Sequence, residues 1–157
     1  RIERLFLKDS SFESPNSPEV FIKQWRPEIK VDINTRANPL GDDLQEVVLT
    51  ATVTATLEEE MVAFIVEVQQ GGIFLIQGAD APQLSQIIGI ACPNTLFPYL
   101  RETIDNLVVK GGFPALQLAQ VNFESLYVQA MQEREQREQA SQAGGEDQQD
   151  GTEITTH

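Results

Sequence analysis

One run of alternating residues constrains the fold of this chain more than any other feature. From position 44 to 57 an apolar residue occupies nearly every second position, and threonines fill most of the positions between them. Successive side chains of a β-strand point to opposite faces, so this period of two predicts a long strand with one apolar face. The apolar set is Val47, Leu49, Ala51, Val53, Ala55 and Leu57, and the opposite set is Val48, Thr50, Thr52, Thr54 and Thr56.

Three further segments have strand character, which predicts a four-stranded antiparallel sheet. They are residues 1–12, 29–33 and 61–70, with turns at 38–43 and 58–60. Gly71 and Gly72 then interrupt an apolar run that continues to Ile76. This interruption indicates either a hairpin or a kink in one long strand.

Segment 14–27 is predicted to be a long ordered crossover loop. It contains Pro15, Pro18 and Pro27, and proline removes a backbone donor and restricts the residue before it. A central strand or a long helix is therefore excluded, and Phe21 and Trp25 are expected to anchor the loop.

Helical patterns begin only after Gly78. Residues 82–91 predict a short helix, which Pro93 separates from a longer helix over 96–110. Gly111 and Gly112 are typical of a helix end. An apolar connection over 113–122 leads to a second helix over 123–138. Strands followed by helices predict an α+β domain: a four-stranded antiparallel sheet with a Greek-key-type crossover and C-terminal helices packed on one face.

The end of the chain differs in composition from the rest. From Gln132 onward it holds seven acidic and two basic residues and no aromatic residue. Such a segment buries too little apolar surface to offset its chain entropy. We therefore expect a folded domain over 1–131 and an acidic low-complexity tail over 132–157, where the second helix frays into disorder.

The net charge of the chain restricts the kinds of partner that it is expected to bind. Twenty-four acidic and eleven basic residues give a net charge of −13. An acidic field repels phosphate backbones and anionic lipid head groups, so nucleic acid and membrane surfaces are disfavoured and basic partners are favoured. No apolar run approaches the roughly 20 residues that span a bilayer, and no basic region followed by an apolar region at the start indicates a signal peptide. Together with a single cysteine, this predicts a cytoplasmic protein without direct membrane insertion.

The residue types of common active sites are scarce. The only histidine is His157, and Cys92 therefore has no histidine elsewhere in the folded domain to activate it. Cys92 is interpreted as a small buried hydrophobe, and the acidic pairs at 42–43 and 58–60 as solvated turns. No phosphate-binding glycine motif occurs. We expect a protein that is not an enzyme and has no cofactor and no metal site.

Aromatic residues in loops and at helix ends are the positive signal. Each could simply anchor an irregular segment to the core. As a set, on so small a domain, they predict that some remain on the surface as an apolar patch that marks an interface. The set is Phe21, Trp25, Phe97, Tyr99, Phe113 and Phe123.

Four longer strings resemble the SecB family of bacterial protein-export chaperones. They are RLFLKDSSFESPN at 4–16, EVQQGGIF at 67–74, CPNTLFPYLRE at 92–102 and GFPALQLAQVNF at 112–123. The resemblance covers residues 4–131 and favours the single kinked strand at Gly71. It implies an ATP-independent holdase that binds unfolded secretory preproteins, keeps them translocation-competent and delivers them to the SecA motor. The predicted client groove is apolar, is bordered by segments 15–27 and 113–122, and uses the six aromatic residues named above.

The resemblance also implies two further surfaces. Docking of the zinc-bearing C-terminal segment of SecA would use Asp9, Glu13, Ile65 and Glu67, of which Ile65 and Glu67 lie on the predicted outer sheet face. The zinc would belong to the partner. The protein is expected to form a homotetramer, a dimer of dimers, by sheet pairing and helix packing. Residues expected to influence that packing are Val66, Val68 and Gln70.

Two other functions fit the residues alone. One is an adaptor for a folded or motif-bearing partner. The other is a small-ligand-binding α+β domain that uses the neighbourhood of Trp25 and Phe97 as a pocket.

Overall fold

Four antiparallel strands form one open sheet in the computed structural model, which describes residues 1–144. The strands are β1 (Ile2–Glu13), β2 (Glu28–Gly41), β3 (Leu44–Thr56) and β4 (Val62–Leu75). Their order across the sheet is β1-β4-β3-β2, so β1 and β2 are the two edges. The crossover loop between β1 and β2 therefore passes from one edge to the other, which confirms the predicted topology.

β2 is longer than the sequence pattern indicates. It continues through Asn38 and Pro39 to Gly41, and the turn consists of Asp42 and Asp43, both with positive φ. Proline lacks a ladder donor, but an edge strand tolerates it because one side of the strand has no neighbour. The expected turn at 38–43 is thus two residues long, and the strand ends eight residues later than predicted.

β4 is one continuous strand through Gly71 and Gly72, in agreement with the second of the two alternatives. A Cβ on Gly71 would lie 2.5 Å from the Phe6 ring, and a Cβ on Gly72 would lie 2.7 Å from the Phe74 ring and 3.1 Å from Leu96 Cδ2. The two glycines therefore admit a ring on one face of the sheet and a helix side chain on the other. Their role is close approach rather than chain reversal.

The helices after β4 are less separate than predicted. α1 (Ala81–Gln86) continues through a π-helical turn (Ile87–Ala91) into α2 (Cys92–Lys110). Pro93 lies in the first turn of α2 and Pro98 lies inside it, so neither proline divides the helix from its predecessor. Pro93 directly follows the π-helical turn, in which the Cys92 amide bonds the Ile87 carbonyl, so the chain enters α2 at Cys92 without leaving the helical conformation.

α2 covers the inner face of the sheet and forms the core with it. Its buried residues Leu96, Leu100, Ile104 and Val108 recur at helical spacing and have no exposed surface. Opposite them the alternating apolar side chains of β3 and β4 are equally buried: Val47, Leu49, Ala51, Val53, Val66 and Val68. Burial of each such side chain contributes about 1.5–3 kcal/mol to folding.

The first compact unit comprises Arg1–Val121, and a second unit begins at Asn122. In the second unit α3 (Phe123–Ala143) begins at Asn122, whose side-chain oxygen accepts a hydrogen bond from Ser125 N at 3.0 Å. α3 extends five residues beyond the predicted end at 138. The predicted tail, 132–157, is thus helical up to Ala143, and its remainder from position 145 lies outside the described residues.

Candidate functional site

Five aromatic rings form a cluster at one end of the inner sheet face. The rings, here called the aromatic cluster, are Phe12, Phe21, Trp25, Phe64 and Phe113. Phe113 is central: its ring centroid lies 5.1 Å from that of Phe21, 5.4 Å from Trp25 and 5.1 Å from Phe64. Phe12 lies 5.9 Å from Phe64. These separations are in the range in which aromatic pairs attract one another.

Four different segments supply the cluster. Phe12 is the residue before the last in β1 and is paired with Val66. Phe64 lies near the start of β4 and is paired with Ala55. Phe21 and Trp25 come from the crossover loop, and Phe113 follows the end of α2. The structure thus brings the two predicted borders of the groove, segments 15–27 and 113–122, into contact at these rings.

The aromatic cluster belongs partly to the core and partly to the surface. Phe64 is fully buried and Phe113 is 5% exposed, whereas Phe21 is 48% exposed and its neighbour Ile22 is 84% exposed. Trp25 is half-buried. A large apolar ring left in water beside a buried cluster is costly unless a partner covers it. The cluster can therefore accept further apolar groups along its exposed side.

Hydrogen bonds fix the first part of the crossover loop to the sheet. Ser14 Oγ donates to the Ala63 carbonyl at 3.0 Å, and Asn16 Nδ2 donates to the Val62 carbonyl at 2.9 Å. Val20 is buried within a single turn of 3₁₀ helix. The loop is therefore anchored at its start and presents Phe21 and Ile22 beyond that anchor.

Three predicted groove residues lie elsewhere. Phe97 is fully buried in α2, with the Arg101 guanidinium 5.3 Å from its ring centroid, so it offers no surface to a polypeptide. The helical spacing that points Phe97 toward the sheet accounts for this. Tyr99 is 49% exposed on α2, outside the aromatic cluster. Phe123 is the first residue of α3 in the second unit.

Two cluster members, Phe12 and Phe64, were not among the predicted groove residues. The alternation of β4 puts Phe64 on the same face as Val66 and Val68. Its position at the strand end next to the crossover loop was the signal that it would support that loop. Phe12 stands at the equivalent end of β1.

The outer face of the sheet holds all four predicted docking residues. In the β1–β4 register Glu13 is paired with Ile65, Ser11 with Glu67, and Asp9 with Gln69. Directly paired residues share a face, and α2 packs on the opposite one. We call Asp9, Glu13, Ile65 and Glu67 the docking face. Asp9 and Glu13 are exposed, and Ile65 and Glu67 are half-buried.

A register shift in β1 puts Asp9 on that face. Leu7 is paired with Gln70 and Asp9 with Gln69, so Lys8 is an extra residue in β1. Such a bulge reverses the alternation that follows it. The Lys8 ammonium bonds both carboxylate oxygens of Glu46, at 3.0 and 2.9 Å, which leaves Asp9 free of this cation. Thr52 Oγ1 donates to Glu67 Oε2 at 3.3 Å.

The predicted packing residues lie beneath α2. Val66 and Val68 have no exposed surface and Gln70 is 5% exposed, all on the inner face of β4. They are buried within a single chain, so they could act on an assembly only through the position of α2. Edge strand β1 has no neighbour on its other side within the described chain.

Three other features were candidates for a functional site: the Cys92 thiol, a metal-binding cluster and a cavity. Cys92 is a buried free thiol, and burial raises its pKa to about 11, partly offset by the positive chain terminus. This supports its interpretation as an inert core residue. Within residues 1–144 no group of three or more His, Cys, Asp or Glu side chains could hold a metal ion. A cavity of about 150 Å³ lies beside the crossover loop, and its lining includes Lys23, Arg26 and Met61.

None of the helices in the described part of the chain is sufficiently long and apolar to cross a membrane.

A solved structure shares this architecture. It is a SecB-like chaperone of Mycobacterium tuberculosis, in complex with a ChAD peptide from an antitoxin. The two structures align with a TM-score of 0.60 over 78% of this chain and 90% of the other, at 14% sequence identity. At that identity the likeness shows the fold alone: an open antiparallel sheet with helices, of the class found in SecB-like chaperones.

Sequence relationships identify the family. The model of the preprotein translocase subunit SecB matches residues 1–134. The chain is 54% identical over 151 residues to the protein-export protein SecB of Marinobacter nauticus, covering 96% of this chain and 88% of the relative. It is 56% identical over 131 residues to that of Pseudomonas syringae, covering 83% and 79%. The chain belongs to the SecB family.

Proposed function

We propose that this protein is a chaperone of protein export that holds unfolded preproteins in the aromatic cluster and its surroundings. It acts in the cytoplasm without ATP, keeps its clients translocation-competent and delivers them to the SecA motor. It is a binding protein and not an enzyme. The observation that carries this proposal is the exposure of Phe21 and Ile22 beside the buried rings of Phe64 and Phe113, in a chain that belongs to the SecB family.

The chemistry of the cluster suits unfolded chains. An unfolded polypeptide presents apolar and aromatic side chains in no fixed order, so its receptor needs extended apolar contact and little demand for particular hydrogen bonds. Phe21 and Trp25 provide such contact, and their ring centroids lie 5.1 and 5.4 Å from that of buried Phe113. We therefore define the client groove as the exposed side of the aromatic cluster with Ile22.

The net charge of −13 adds a preference for basic segments. Since the apolar part of the binding energy survives screening, salt should reduce affinity only in part.

Delivery to the motor uses the docking face in this proposal. Three carboxylates, Asp9, Glu13 and Glu67, lie on two adjacent strands on the side of the sheet away from α2. A basic segment would find complementary charge there, with Ile65 as an apolar contact between the acids. The client groove is built around rings of the inner face, so both partners could bind at once.

The proposed assembly is a homotetramer, a dimer of dimers. Edge strand β1 presents unpaired backbone groups, which favours pairing with a second β1. Val109 is 55% exposed on α2, and Tyr99 49%, which supports packing of two sheet dimers through this helix.

Fluorescence of Trp25, the only tryptophan in the chain, tests the client groove. Its emission should change on titration with a reduced, unfolded secretory preprotein and stay constant with the folded form. Phe21 and Leu40 give a matched pair because their exposures are 48% and 47% and only Phe21 belongs to the aromatic cluster. Phe21→Ala should weaken client binding, and Leu40→Ala should leave it unchanged. An emission spectrum indifferent to the unfolded chain, with unchanged affinity in Trp25→Ala, would refute the groove.

A further inference from the structure

The segment that follows Phe113 is irregular in conformation but is tied firmly to α2. We call residues 113–118 the lip segment, because Phe113 belongs to the aromatic cluster and the segment borders it. Asp105 Oδ1 accepts hydrogen bonds from Leu116 N at 3.0 Å and from Gln117 N at 3.2 Å. The Phe113 amide donates to the Val108 carbonyl at 3.1 Å. The lip segment is thus held at both ends by α2.

A second α2 side chain reaches the same segment. Arg101 Nη1 donates to the Leu118 carbonyl at 3.5 Å. Residues four apart on a helix lie on one side of it, so Arg101 and Asp105 act along the same stripe. The ring of buried Phe97, one turn earlier, lies 5.3 Å from the Arg101 guanidinium and supports its orientation. Arg101 and Asp105 therefore bind the lip segment from adjacent turns of α2, and Phe97 supports Arg101.

The backbone of the lip segment needs this support. Gln117 has a φ of +48°, in the left-handed region that residues other than glycine rarely adopt. Two successive amides that converge on one carboxylate oxygen make charge-assisted hydrogen bonds, which are stronger than neutral ones. Asp105 is half-buried, so water competes with it only in part. Without this acceptor nothing else in the described chain bonds the Leu116 and Gln117 amides, and the left-handed turn would relax.

We propose that Asp105 is a positioning residue for client binding: its carboxylate holds the lip segment in place and so pre-organises the client groove. The inference rests on the function proposed above. A groove whose border is already ordered loses less conformational freedom on binding, and this raises affinity. Asp105 touches no client itself in this proposal. It acts through Leu116 and Gln117 on the segment that carries Phe113.

Two variants of Asp105 separate its roles as acceptor and as charge. Asp105→Ala removes the acceptor and should raise the Kd for a reduced, unfolded secretory preprotein about tenfold, with faster dissociation. Asp105→Asn keeps an oxygen acceptor and should restore affinity to within about threefold of the parent. Glu102→Ala removes an exposed carboxylate three residues earlier on α2 and is the matched control, with unchanged affinity expected.

Hydrogen exchange gives a readout that does not depend on a client. The amides of Leu116 and Gln117 should exchange faster in Asp105→Ala than in the parent or in Asp105→Asn, while amides of α2 keep their protection. If Asp105→Ala fails to fold, Arg101→Gln tests the same segment through the Leu118 carbonyl.

The outcomes distinguish this inference from the proposed function. Faster exchange at Leu116 and Gln117 with an unchanged client Kd would overturn the positioning role and leave the holdase intact. Unchanged exchange would show that Asp105 does not hold the lip segment, and would also overturn it. A parent protein that binds no unfolded chain would refute the proposed function itself.

Discussion

The ring of Phe12 lies directly against Gly111, the residue that caps the C-terminus of α2. A Cβ built on Gly111 would overlap that ring, and one built on the adjacent Gly112 would lie 3.1 Å from the ring of Phe21. The two glycines therefore do more than terminate a helix. They leave room for one ring from β1 and one from the crossover loop, and so define where the aromatic cluster forms.

Gly111→Ala should destabilise the protein by about 1–3 kcal/mol, because the added methyl group must displace the Phe12 ring. Its φ of −72° is acceptable for alanine, so steric overlap alone is tested. Gly144→Ala is a matched control: Gly144 also caps a helix, with a φ of −75°, and its Cβ would meet only ordinary contacts. Urea denaturation measures both. Equal effects of the two substitutions would contradict the close packing of Phe12.

Glu67→Lys should weaken binding of the basic, zinc-bearing SecA segment about tenfold and leave client binding unchanged, because it reverses a charge in the docking face. Glu58→Lys makes the same change of charge at an exposed turn outside that face and is the control. Titration calorimetry at two salt concentrations measures both. Binding losses that are the same for the two variants would show that total charge, and not the docking face, recruits the motor segment.

Val66→Tyr should dissociate the proposed tetramer into dimers at micromolar concentration. Val66 has no exposed surface beneath α2, so the larger side chain must shift that helix. Val31→Tyr enlarges a 39% exposed position of β2 and should leave the mass unchanged. Light scattering gives the masses, with circular dichroism to verify folding. If the Val66→Tyr protein has the same mass as the parent protein, the packing of α2 does not control assembly.

The free energy of unfolding should decrease above pH 9 because the Cys92 thiol ionises more readily in the unfolded chain than in the folded one. Burial raises the pKa of its thiol from 9.0 to about 11 in the folded chain. Between these values the unfolded state loses the proton and the folded state retains it, so unfolding becomes more favourable as pH rises. The loss should be on the order of 2 kcal/mol by pH 11. Cys92→Ala should show a smaller decrease between pH 9 and 11 in urea denaturation. Identical pH profiles would mean that the thiol does not contribute.

Much of the fold was predictable because local patterns agree with tertiary packing. The period-two pattern of β3 matches its burial, since Val47, Leu49 and Ala51 are fully buried beneath α2. Pro39 and Pro93 were the reason that two boundaries were predicted wrongly: the end of β2 and the start of α2. An edge strand tolerates Pro39 because one side of it needs no donor, and the helix continues into Pro93 through the π-helical turn that directly precedes α2.

The candidate site was predictable only in part. Phe21, Trp25 and Phe113 were selected from the sequence as exposed aromatics and do meet, but Phe97 was selected by the same reasoning and is fully buried. A ring near a helix end looks the same in sequence whether it points toward the sheet or away from it. Only the packing of α2 decides between the two.

The sequence by itself determined the strands, the amphipathic helix and the family, because periodicity and long shared strings are local properties of the chain. The tertiary structure decided which residues share a surface. Asp9 lies with Glu67 only because Lys8 is an extra residue in β1, and the aromatic cluster forms only because Gly111 and Gly112 admit rings from distant segments. Register and close approach depend on two segments at once, so neither segment encodes them alone.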